Sequence, residues 1–161
     1  MSDALTILFR AFRRFRETAP DLAARMRFHF IGTGYAPPPL GVDTVLPVAR
    51  AGGVADAVRE HRYRVPYFDA LHYLRRAHAL VAVGSNDPAY SASKIFPYIL
   101  ARRPLLVIYH EQSLVLKMID RIGAGLSFKF AAPGGFAAAA AQVHAGWFAG
   151  RGYEQVVTFD E

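Results

Sequence analysis

The chain has 161 residues, 53% of them hydrophobic and 20% charged, which fits a single domain able to bury its own core and speaks against extended disorder. It has no cysteine, so a disulfide framework, a thiolate metal site and a cysteine nucleophile are all excluded. The net charge is +6 and the only lysines are Lys94, Lys117 and Lys129 among a large majority of arginines, a balance that favours anionic partners: a nucleotide diphosphate, a nucleic acid or an anionic membrane face.

In chain order, Asp3 is expected to cap a first helix whose apolar residues Leu5, Leu8, Phe9, Phe12 and Phe15 follow helical spacing and which ends near Ala19 and Pro20. Residues 27–31 cluster apolar side chains around His29 and break at Gly32-Thr33-Gly34, the pattern of a buried strand running into a tight loop, with His29 as a packed or edge histidine. Pro37, Pro38 and Pro39 forbid helix directly after the glycines. A helix over 44–51, a short strand over 57–61 and an amphipathic helix over 67–77, with Leu71, Leu74 and Ala77 on one side, follow.

Leu80 to Val83 is a short apolar strand ending in a polar loop. After it come a helix over 92–102, a strand over 105–109, a helix over 114–122 and a strand over 126–130. An Ala-rich surface helix within 134–150, packing through Phe136, Val143, Trp147 and Phe148, and a last strand over 155–159 complete the chain. Strands alternating with helices in this way predict a Rossmann-like three-layer α/β/α domain with a mainly parallel sheet of about five or six strands. No linker or repeat divides residues 1–161. No signal-peptide pattern opens the chain and no apolar run reaches the length of a membrane span, so the expected location is cytoplasmic, with association to the inner membrane face left open by the charge.

In such a sheet, ligands bind beyond the C-terminal strand ends, which directs attention to the loops over 32–36, 84–93 and 110–113. Gly32, Thr33 and Gly34 allow close backbone approach to a ligand, but Pro37 stands where the dinucleotide fingerprint needs its third glycine, which disfavours a nicotinamide or flavin enzyme. Ser91, Ser93 and Lys94 open a helix, where one hydroxyl can cap while the other and the ammonium face a phosphate; a plain serine cap beside a solvent-exposed lysine is the alternative. Glu60-His61 and His110-Glu111 pair an acid with an imidazole at strand ends, and His110 is a candidate for orienting a substrate hydroxyl or moving a proton. Neither HExxH nor GxSxG occurs, and no metal site is expected. No clustered base-reading motif supports nucleic acid.

The segments FHFIGTGY, RVPYFDALHYLRRAHALVAVGS and YSASKIFPYILARRPLL, in this order, resemble the C-terminal, donor-binding half of GT-B-type, group 1 glycosyltransferases of the bacterial type. The resemblance covers most of residues 4–130 and implies a nucleotide-sugar donor bound without a metal or other cofactor. By position it implies that Gly32 and Gly34 lie beside the donor, Glu60 and Arg64 near its base, and Ser91, Ser93 and Lys94 near its ribose or diphosphate. Counting back from Pro104, Ala89 and Pro97 hold the places where many relatives carry two glutamates, which leaves Ser93 and Lys94 to supply the contact. The resemblance also implies that a strand before the first helix and the N-terminal acceptor domain are missing, so the chain is expected to be a fragment of a two-domain enzyme and inactive in isolation. The sugar, base, acceptor and oligomeric state stay open. A non-catalytic binding or interaction module derived from such a domain is the alternative.

Overall fold

The computed structural model describes residues 1–87, 94–131 and 135–155. It is an α/β structure whose strands all pair in parallel. Helix α1 (Ser2–Thr18) buries Leu5, Leu8, Phe9, Phe12 and Phe15, the helically spaced set, together with Ala4, Ile7 and Ala11. Asp3 does not cap it: the helix starts at Ser2, with Met1 at the N-cap, two residues earlier than such a cap would place it, and Asp3 lies in the first turn, where its charge still meets the positive end of the helix dipole. The stop at Ala19 is followed at once by a single turn, α2 (Pro20–Ala23), because proline at the first helical position gives up an N–H that would have no partner there.

Strand β1 (Phe28–Ile31) pairs with β2 (Val58–His61), Phe28 opposite Val58 and Ile31 opposite His61. Helix α3 (Leu46–Ala51), with Pro47 in its first turn, and a short turn at Ala55–Ala57 lie between them. Helix α4 (Tyr67–Arg76) then leads to a second sheet: β3 (Leu80–Val83), helix α5 (Ile95–Leu100), β4 (Leu105–His110), helix α6 (Leu114–Ile122) and β5 (Leu126–Phe130), in the order β3-β4-β5. Helix α7 (Phe136–Val143) runs on through a wider turn of π type at His144–Ala149. The expected last strand falls mostly on residues 156–159, outside the described residues.

The expectation of one sheet of five or six strands is therefore met only in part: the described residues hold five parallel strands, divided between a two-stranded and a three-stranded sheet. The three-stranded sheet is covered on both faces. Along β4 the side chains alternate as the pleat requires, Leu106 and Ile108 into the core under α1 and α7, Leu105, Val107 and Tyr109 into the core with Ile95, Ile99, Val115 and Ile119. The two-stranded sheet differs. Only Phe28 and Phe30 of β1 turn inward, where Phe9 meets them edge-on at 6.4 and 6.1 Å and Phe12 meets Phe28 at 4.9 Å, while His29 and Ile31 are exposed. The buried-strand reading of FHFI is corrected accordingly, because α1 covers one face of this sheet and alternate residues go to the other.

Helix α1 thus packs on both sheets at once. Phe148, behind α7, stacks on Phe15 at 5.2 Å and tilts against Phe12 at 5.6 Å. Phe136 is half-buried and Val143, Trp147 and Phe148 are buried, as the helical spacing predicts. No described helix is long and apolar enough to cross a membrane.

Candidate functional site

The loop leaving β1 continues the parallel pairing past the strand end. Gly32 donates its N–H to the His61 carbonyl (2.8 Å) and Gly34 to the Arg62 carbonyl (2.9 Å). Gly32 has φ +72°, the left-handed conformation that side chains resist, and a Cβ on Gly34 would stand 3.0 Å from the Arg62 carbonyl oxygen. Glycine at 32 is thus favoured by its backbone conformation, and at 34 by the close approach of this loop to Arg62. The loop is latched further on, where Arg62 donates to the Gly41 carbonyl (3.0 Å) and pairs with Asp43 (3.0 Å).

Glu60 holds the base of this assembly. Its Oε1 accepts the Thr33 hydroxyl (2.6 Å), the Thr44 amide (2.9 Å) and the Thr44 hydroxyl (3.2 Å); its Oε2 accepts the amides of Val45 (3.0 Å) and Leu46 (2.8 Å). Burial raises the carboxyl's pKa, but the Thr33 hydroxyl and the three backbone amides outweigh it and hold it below the ordinary value. The carboxylate therefore caps α3, satisfying amides that a helix start leaves unpaired. These five donors occupy the oxygens that the family resemblance assigns to a base.

Above this frame, Tyr35 is 77% exposed, and two cations gather on its ring. The Arg64 guanidinium carbon lies 4.2 Å from the ring centroid and Lys94 Nζ 5.7 Å from it. Tyr35 comes from the loop after β1, Arg64 from the loop after β2, and Lys94 from the position before α5. Three segments distant in sequence thus meet at the edge where β1 and β2 end. Among the described residues no carboxylate pairs with Arg64 or Lys94. Each cation gains from the ring's negative face, and the two repel one another.

Ser91 and Ser93 lie outside the described residues. Lys94 is described, at the N-cap position of a helix only six residues long, with no side-chain cap. His110 stands apart from the cluster. It is 7% exposed, edge-on to Phe130 at 5.8 Å, and its Nδ1 accepts the Gln112 amide (3.3 Å), which leaves Nε2 to carry the proton of a neutral ring. Next to it Ser113 donates its amide to the His110 carbonyl, and its hydroxyl oxygen accepts the Val115 amide, capping α6. His110 organises that turn.

The residues that sequence reasoning missed are Tyr35 and the Arg62–Asp43 latch. Tyr35 had one signal, an aromatic between a glycine pair and a proline run; the latch had none, since its partners lie in different loops. Among the described residues, no three acidic or histidine side chains are grouped so as to hold a metal ion. Comparison with known proteins returns no match: no family model fits the chain, and neither a curated protein nor a solved structure is significantly similar to it.

Proposed function

We propose that this chain is the nucleotide-sugar-binding half of a GT-B-type glycosyltransferase, one that seats the diphosphate of its donor at Tyr35, Arg64 and Lys94. The observation that carries the reading is the convergence of Arg64 and Lys94 on one exposed tyrosine ring with no carboxylate beside them among the described residues. Two cations held together from separate loops are relieved when an anion lies against both, and a diphosphate offers charge to each. In this role Arg64 supplies a planar fork for a phosphate, Lys94 a movable point charge, and Tyr35 a flat face shared with the donor. The pair would also stabilise the charge that develops on a leaving nucleotide diphosphate.

The division of the sheet supports the same reading. A doubly wound sheet has strand order 3-2-1-4-5-6, and without its first strand it leaves one pair and one triplet of parallel strands. The pairs formed here, β1 with β2 and β3 with β4 and β5, have that pattern. Helix α1, spanning both, stands where the helix after the first strand would stand.

Calorimetric titration with UDP, GDP and their sugars tests the proposal. Saturable heat for at least one nucleotide is expected, weakened roughly ten-fold or more in Lys94→Ala and in Arg64→Ala with the melting temperature unchanged. No heat with any nucleotide overturns it. A second reading, a non-catalytic binding module derived from such a domain, is favoured by the engagement of Glu60 and His110 within the protein, which leaves neither group open to a substrate. Nucleotide binding without sugar transfer, when the chain is joined to an acceptor domain, distinguishes it.

A further inference from the structure

Seven of the large hydrophobic side chains that the described residues leave exposed belong to the three helices α4, α5 and α6, whereas α1 and α7 contribute none. The three helices cover the same core, through Leu74, Ile95, Ile99, Val115 and Ile119, so their outer stripes look out from one side of the three-stranded sheet. On α4 that stripe runs from Phe68 (80% exposed) through His72 to Arg75 and Arg76, at helical spacing. On α5 it holds Phe96 and Leu100, one turn apart, at 55% and 73% exposure. Arg103 is drawn beside the end of α4 by donating twice to the Arg75 carbonyl, which gathers three arginines at one rim of the apolar stripe.

Charge by itself does not single out this layer. Helix α1 also turns Arg10, Arg13 and Arg14 outward, but with no large apolar side chain among them. The outer side of α4, α5 and α6 joins exposed aromatic and aliphatic groups on helices to arginines, and Asp69 is the one acid on α4 and α5. No carboxylate among the described residues pairs with Arg75 or Arg76. Aromatic rings and leucines at the depth of the headgroups, flanked by arginines that reach lipid phosphates, are how a peripheral protein holds an anionic bilayer.

We infer that the outer face of α4 and α5 docks on an anionic membrane surface, inserting Phe68, Phe96 and Leu100 while Arg75 and Arg76 meet lipid phosphates. This does not rest on the nucleotide reading, since it uses different residues and a different ligand. Flotation with vesicles of phosphatidylcholine alone, and of phosphatidylcholine mixed with phosphatidylglycerol, tests it. The chain is expected to float with the mixed vesicles and less so as salt is raised. The triple variant Phe68→Ala, Phe96→Ala, Leu100→Ala and the double variant Arg75→Gln, Arg76→Gln should each lose roughly ten-fold or more of that binding with an unchanged circular dichroism melt. Absence of flotation at low salt overturns the proposal. So does undiminished binding by the triple variant, which would assign the attraction to general basicity. If instead light scattering finds a dimer that the triple variant abolishes, and no vesicle binding, the face is a contact between proteins and the bilayer is ruled out.

Discussion

Helices α1 and α4 are both amphipathic and both rich in arginine, yet α1 buries eight residues and α4 buries none. The difference lies in what each one faces. Helix α1 crosses both sheets and meets Phe28, Phe30, Leu106 and Phe148, so every apolar position along it finds a partner. Helix α4 reaches the second core through Leu74, and its other half-buried apolar residues, Ala70 and Leu71, do not close over. A hydrophobic stripe therefore says which side of a helix turns inward, and the extent of the surface beneath decides how much of it is buried.

The largest test of this contrast is Phe12→Ala. Losing a fully buried ring in contact with Phe28 and Phe148 should cost about 3–5 kcal/mol, read as a lower midpoint in urea denaturation. Next comes Glu60→Ala, which strands the donors of Thr33, Thr44, Val45 and Leu46 and should cost about 1–3 kcal/mol. Glu60 also makes a prediction about pH. Its folded pKa lies below the ordinary 4.5, so its contribution is complete above that value and is lost as pH falls through the folded pKa. The melting temperature should fall with acidification in that window, and Glu60→Gln should flatten this part of the decline.

Lys94→Ala should leave the melt unchanged while removing roughly nine-tenths or more of any nucleotide affinity, because the side chain is exposed and meets the Tyr35 ring at its rim. Smallest of all is Phe68→Ala. At 80% exposure its effect on stability should stay within about 0.5 kcal/mol, and a loss comparable to that of Phe12→Ala would erase the contrast between the two helices.

The elements most legible in the sequence were those whose signals are local. Helix α6 and strand β5 have the bounds that residues 114–122 and 126–130 predict, since Ser113 caps the helix and Gly123, at φ +63°, ends it. Strand β1 was misread because FHFI is too short for its alternation to show which faces are covered. The division of the sheet was hidden for a related reason: local pattern gives strands, and pairing is decided between segments distant in sequence.

The site was legible to the same degree. Of the loops that strand direction singled out, the one over 32–36 carries Tyr35, and Arg64 and Lys94, two of the residues that the resemblance named, lie against its ring. Glu60 and His110 stood out as charged or titratable groups at strand ends, but what they do depends on amides contributed by neighbouring loops, which residue type does not reveal. Tyr35 was passed over because a tyrosine in a loop is ordinary until two cations are found on its face.

The contact of α1 with the segment behind α7 also bears on how the protein is made. Phe12 and Phe15 are synthesised early, and Phe148, the ring that covers them, is synthesised among the last of the described residues. During translation the apolar side of α1 must wait uncovered while the strands between are added, and the main core can close only once Trp147 and Phe148 have left the ribosome. A chain ended before residue 147 should accordingly be bound by chaperones and cut readily by protease, and one that includes residue 155 should resist both once released from the ribosome.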